Sequence, residues 1–208
     1  MNYWKKYFKE EGSIHEKNLR EDYQARCDAN SIFQYPEYLP EESLNVKILD
    51  VGAGPLTVLG KKFPGKNLII TAVDALGSQY KNIIPFEPLV KTEQCHSENL
   101  LEYFGEEAFD ITHARNTLDH AKCPYEAFIQ MIKCTKKGGF IITNHSLNEA
   151  TLENWSGFHK WNFYIDGNSL IMEDKDGVKF NSQRDIGSLI KPVLVNGSKK
   201  ALFICQKL

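Results

Sequence analysis

A single α/β domain on a mostly parallel sheet, covered by helices on both faces, is the fold this sequence predicts. Three observations predict it. Short apolar runs of strand length alternate with amphipathic segments between residues 46 and 145, the rhythm of strand–helix–strand units joined by right-handed crossovers. One run, V-K-I-L-D at 46–50, ends in a carboxylate and passes through G-A-G to Pro55. That pattern fits a buried strand, a tight turn and a helix start, which together make a ligand cradle. The last apolar stretch, Lys200–Gln206 with A-L-F-I-C at its centre, follows an N-G-S turn at 196–198 and suits a strand paired antiparallel with Val193–Val195.

Composition narrows the function classes. The chain has 208 residues, 42% hydrophobic and 25% charged, as an ordinary globular domain does. A net charge of −2 gives no electrostatic case for a nucleic-acid partner. No apolar run approaches the roughly 20 residues of a membrane span, and the aromatic, basic start M-N-Y-W-K-K-Y-F lacks the apolar core of a signal peptide. The five cysteines, Cys27, Cys95, Cys123, Cys134 and Cys205, form no C-x-x-C pair. Free thiols in a reducing cytoplasm are therefore expected.

Taken in order, Tyr3, Trp4, Tyr7 and Phe8 recur at helical spacing over 3–10, and Leu19, Tyr23, Cys27 and Phe33 mark a second helix over 16–33. Tyr35-Pro36 and Leu39-Pro40 then break the chain. Residues 1–40 read as a helical cap, or as a lid whose Arg20 or Arg26 reaches a carboxylate; residues 41–208 form the ligand-binding domain. Strands are expected at Val46–Val51, Leu68–Val73, Leu89–Cys95, Phe109–Ala114 and Phe140–Asn144. Helices are expected at Leu56–Phe63, 77–84, Leu100–Phe104 and Pro124–Thr135, the last ended by Lys136-Lys137-Gly138-Gly139, whose cations suit a helix carboxyl end. After residue 145 the rhythm changes. Trp161–Ile165 and Ser169–Glu173 flank D-G-N as a hairpin, with a short third piece at Lys179–Asn181.

The glycine stretch has a common look-alike. A dinucleotide fold wants G-x-G-x-x-G, but Thr57 stands where the third glycine would be. What stands instead is D-x-G-x-G, with Asp74 closing the next strand, where a carboxylate can accept both hydroxyls of a ribose. V-K-I-L-D-V-G-A-G-P, T-A-V-D-A, F-D-I-T-H-A-R-N and K-K-G-G-F-I-I-T, in that order over 46–145, resemble a class I S-adenosylmethionine-dependent methyltransferase. The resemblance implies a Rossmann-like, mostly parallel seven-stranded sheet with an antiparallel C-terminal strand. It implies S-adenosyl-L-methionine as cofactor, with Asp50, Gly52, Ala53 and Gly54 at its amino-acid end and Asp74 on the ribose. Ala75 and Leu76 would lie beside the adenine, Glu98 and Asn99 at its amine, and Ala114 and Arg115 beside the methionine part. Arg115 departs from the pattern, since a cation repels a sulfonium; it could face a carboxylate or an anionic substrate.

The run R-N-T-L-D-H-A-K-C-P, followed by G-F-H-K-W-N-F, resembles bacterial methyltransferases of surface-polysaccharide and nucleotide-sugar pathways. This implies O-methylation of a small polar acceptor such as a sugar. A nitrogen or carbon acceptor, or a non-catalytic cofactor-binding relative, is the alternative. A hydroxyl acceptor must lose a proton, for which an imidazole is suited. His120, His145 and His159 are the candidate bases, with Asp119 and Tyr164 behind them, while His113 reads as a core residue of strand four. Trp155, Trp161 and Phe163 suit either a flat wall for a ring or core packing. Asp119 with Asn144 gives too few oxygen ligands for a magnesium site, so no metal is assigned.

Overall fold

The computed structural model describes residues 25–82, 86–177 and 179–208. The helix expected over 3–10, the first half of that over 16–33, and Arg20 lie outside them. Among the described residues, ten strands form two sheets. The larger has seven strands in the order β3-β2-β1-β4-β5-β10-β9: β1 (Asn45–Val51), β2 (Asn67–Asp74), β3 (Thr92–Gln94), β4 (Phe109–Arg115), β5 (Thr135–Ser146), β9 (Ile190–Asn196) and β10 (Lys200–Lys207). β3, β2, β1, β4 and β5 run parallel. β10 lies antiparallel between β5 and β9, with Phe203 opposite Val195. This is the expected mostly parallel α/β sheet with its antiparallel C-terminal strand.

Burial follows from the strand patterns. β1 buries Val46, Ile48, Leu49, Asp50 and Val51, as a central strand covered on both faces must. On one face pack α1 (Leu100–Phe104) and α2 (Pro124–Cys134), with Phe128, Met131 and Ile132 in the core beside Leu49 and Ile141. On the other, Phe33, Tyr38 and Leu39 cluster with Val46, Ile48, Ile111 and Ile204. Between β5 and β9 the chain forms α3 (Glu149–Leu152), an antiparallel sheet of β6 (Asn162–Asp166), β7 (Ser169–Glu173) and β8 (Lys179–Asn181), and α4 (Ser182–Ile186). The hairpin turns at Gly167, whose φ is +58°, a conformation only glycine adopts freely.

Four expectations are corrected. The helix over 16–33 gives way after Cys27 to a turn. Leu56–Phe63 is not helical, because its backbone groups are bonded elsewhere. Arg26 donates to Leu56 O (3.1 Å), Gln34 Nε2 to Val58 O (2.9 Å), and Gly60 N to Gln34 Oε1 (3.0 Å); Lys61 N and Lys62 N donate to Ser31 O. The third strand is only Thr92–Gln94. Lys136–Gly139 does not end the helix; these residues already belong to β5, tied to β4 by Lys136 Nζ on Asp110 Oδ1 at 2.6 Å.

Candidate active site

Strand order reverses between β1 and β4, and open α/β sheets place ligands at the carboxyl ends of their strands at such a point. There a narrow cleft is lined by Gly52 after β1, Asp74 at the end of β2 with Ala75 and Leu76 just beyond it, His120 after β4, and Phe158. Asp74 is preorganised. Its Oδ1 accepts from Leu76 N at 2.8 Å and its Oδ2 from Gly54 N at 3.1 Å. The cleft holds about 50 Å³, far below the roughly 300 Å³ or more of a small-molecule site. Thr117 is the reason on one side: a Cβ on Gly52 would stand 1.8 Å from its Oγ1. A cavity of about 550 Å³ adjoins the cleft at Tyr80.

The other expected cofactor residues do not line the cleft, although Gly54 bonds to Asp74 at its edge. Asp50, 2% exposed, stands beside His113 across β1 and β4; His113 Nδ1 donates to its Oδ1 (2.7 Å) and Thr57 Oγ1 to its Oδ2 (2.5 Å). Ala53 N donates to Val73 O, and Gly54 O accepts from Thr92 Oγ1. Glu98 Oε1 accepts from Lys122 N (2.9 Å) and Cys123 N (3.2 Å), capping α2 as an acidic group at a helix start does. Asn99 is exposed and bonded to Glu102. Ala114 is fully buried and Arg115 exposed. Residues that sequence reasoning passed over, Thr117, Tyr80, Cys95, Ser97, Ala121 and Phe158, line the cleft instead. Their signal was adjacency, since Ser97 precedes Glu98 and Phe158 lies inside G-F-H-K-W.

The three candidate histidines converge on one carboxylate. Asp119, 1% exposed, sits in a 3-10 turn, Leu118–His120, just past β4. His159 Nδ1 donates to Asp119 Oδ2 at 3.0 Å, and His120 Nε2 lies 3.2 Å from the same oxygen. His145 Nδ1, from β5, is 3.9 Å from Oδ1. Lys160 N donates to Asp119 O at 3.4 Å, a second tie between the turn and the 156–160 segment. Burial pushes the Asp119 carboxyl up, but His120, His159 and His145 together outweigh it and hold it well below the usual carboxylate range. Burial pulls His145 down to about 4, so this ring, stacked on Phe163, is neutral. Burial and the Asp119 anion push Glu149 upward, against the pull of His159 and His120.

Of the three, only His120 lines the cleft. Beyond Ala121, which also lines the cleft, opens a cavity of about 530 Å³ with Trp155 and Trp161 on its walls. Lys122, Lys160 and Lys175 line it, and so do Asp174 and Asp176. Tyr164 is engaged elsewhere, beneath Lys179 at 5.7 Å, and Phe163 lies in the core.

No family model matches the chain, and no curated protein matches it in sequence. Solved structures do match. A chain of the Haloferax volcanii Trm112 methyltransferase activator complex is 9% identical, with 94% of each chain covered and a TM-score of 0.53. A Methanosarcina mazei S-adenosylmethionine-dependent methyltransferase is 14% identical over 85% of this chain and 99% of its own, at 0.49. Haemonchus contortus phosphoethanolamine N-methyltransferase 2, solved with S-adenosyl-L-methionine, is 21% identical over 53% of this chain and 26% of its own, at 0.39. The fold, with its strand order, is the Rossmann-like class I methyltransferase fold.

Proposed function

We propose that the chain is an S-adenosylmethionine-dependent O-methyltransferase acting on a small polar acceptor, a sugar or nucleotide-linked sugar. One observation carries this reading: His120, held by Asp119, lines the same cleft as Gly52 and Asp74. The residues present suit the cofactor in kind. Asp74 offers carboxylate oxygens for a ribose, Ala75 and Leu76 an apolar seat for adenine, and Gly52 a backbone without a side chain. The cleft as it stands is smaller than the cofactor, and Thr117 and Phe158 are among the side chains that bound it. When bound, S-adenosylmethionine supplies a methyl group already activated by its sulfonium.

The protein's part is alignment and the acceptor's proton. Holding the acceptor in line with the methyl is worth several kcal/mol. The cavity beyond Ala121 offers two indoles for a sugar face and three ammonium groups for phosphate. His120 takes the hydroxyl proton through its ring nitrogen, and the Asp119 anion stabilises the imidazolium that results. His159 fixes Asp119 from the other side. A cytoplasmic setting agrees with five unpaired thiols, and among the described residues no helix is long and apolar enough to cross a membrane.

Calorimetry with S-adenosylmethionine and its demethylated product tests the cofactor. We expect dissociation constants below about 1 mM, weakened by Asp74→Ala. Absence of binding by the wild type sinks the reading. A screen of sugar nucleotides, alcohols and amines for cofactor turnover then tests the acceptor. Turnover only with amines would overturn the oxygen assignment, and His120→Gln should lose turnover while still binding cofactor.

A further inference from the structure

We infer that Asp119, His120 and His159 form a binding site for one divalent first-row transition cation, ligated by Asp119 Oδ2, His120 Nε2 and His159 Nδ1. The site's catalytic meaning rests on the methyltransferase reading; its affinity for the ion does not.

Geometry carries the inference first. His120 Nε2 and His159 Nδ1 lie 3.2 and 3.0 Å from one carboxylate oxygen, and one ligand atom from each residue falls within a 4.8 Å set. Ligand atoms about 2.0–2.2 Å from a shared ion stand roughly 3.0–3.5 Å apart in tetrahedral or octahedral geometry. The His120 and His159 rings stand edge to face, centroids 4.7 Å apart at 75°, so they meet at the carboxylate rather than stacking on each other.

Unused ligand capacity is the second, independent observation. Asp119 Oδ1 and both ring nitrogens of His145 are buried without a hydrogen-bond partner among the described residues, and Asp119 and His145 are each 1% exposed. Unpaired polar atoms at such depth are costly. The contacts to Oδ2 are made by His120 and His159, while Oδ1 and the His145 ring beside it keep unspent polar capacity that a nearby cation would compensate. Two imidazoles and one carboxylate select zinc, cobalt, manganese or iron over magnesium and calcium, which prefer all-oxygen shells.

Three protein ligands leave coordination positions open, and one of the three, His120, lines the cleft. A cation there promotes loss of a proton from a hydroxyl that reaches it. In the loaded protein the His120 lone pair is spent on the ion and the acceptor's proton passes to solvent; in the ion-free protein His120 takes it.

The test is titration of the full chain with Co²⁺, without S-adenosylmethionine, followed by calorimetry and visible absorption. One ion per chain is expected, displaced by Zn²⁺. Asp119→Asn and His159→Ala should weaken binding about tenfold or more, while His96→Gln, outside the cluster, should titrate as wild type. His159 is 24% exposed, so its truncation opens no core, and near-ultraviolet dichroism verifies folding. Absence of saturable Co²⁺ binding, or equal affinity in His159→Ala, overturns the site. A chain that binds Co²⁺ but not S-adenosylmethionine keeps the site and loses the proposed function. The reverse result loses only the site.

Discussion

Thr57 Oγ1 donates to Asp50 Oδ2 over 2.5 Å, closing off a carboxylate whose other oxygen is already bonded to His113. The residue that replaces a third glycine is thus a structural latch. Its hydroxyl also accepts from Leu59 N at 3.1 Å, which holds the non-helical crossover. Thr57→Val keeps the shape and deletes the donor, leaving a buried anion short of one bond. It should cost about 2 kcal/mol or more in urea unfolding, and Thr57→Ser should recover most of it. A cost under about 0.5 kcal/mol would show that the latch is dispensable.

Gly52 and Thr117 set the width of the cleft. Gly52 has φ +65°, and a Cβ there would collide with the Thr117 side chain. Gly52→Ala should therefore lower affinity for the demethylated cofactor about tenfold or more. Thr117→Ala enlarges the same space, so the binding-competent state is more populated and the apparent affinity should rise about fivefold. Weaker binding by Thr117→Ala would mean that its hydroxyl holds the ligand rather than blocking it.

The sheet was legible because its strands are apolar runs cut by turn residues, from V-K-I-L-D to A-L-F-I-C. The hairpin was legible because D-G-N imposes a turn. The crossover after β1 was not. Its pattern fits a helix, and what prevents one is a set of bonds from Arg26, Ser31 and Gln34, more than 20 residues earlier. Asp50 misleads for a related reason, since its partner His113 is 63 positions away and adjacent only across the sheet. The histidines could be named from the sequence but not their convergence, because His159 lies 40 residues beyond Asp119, in an irregular segment with no periodicity.

Trp155 follows Asn154 in the left-handed region, at φ +56° and +52°. A bulky residue there costs roughly 1–2 kcal/mol, and such strain collects at working sites. Its indole lines the cavity beyond Ala121. Trp155→Gly relieves the backbone while removing the indole, so stability should stay within about 1 kcal/mol of wild type. The KM for the acceptor found in the screen should rise with little change in cofactor affinity. An unchanged KM would remove Trp155 from the acceptor site.

His145 links the cluster to acid sensitivity. Burial lowers its pKa from 6.5 to about 4, with Asp119 opposing. Between those values the unfolded chain binds a proton that the folded chain refuses, so stability falls as pH drops through this window. The contribution is intact above pH 6.5 and falls by about 3 kcal/mol at pH 4 and below. Asp119, held low by its histidines, adds a loss of the same sign that begins only below its unfolded value of 3.8. Urea midpoints at pH 7.5, 6, 5 and 4.5 should fall steadily for the wild type. His145→Phe keeps a ring against Phe163 but cannot titrate, so its midpoints should stay nearly level until carboxylates begin to protonate. An equally steep decline in that variant would place the acid-sensitive group elsewhere.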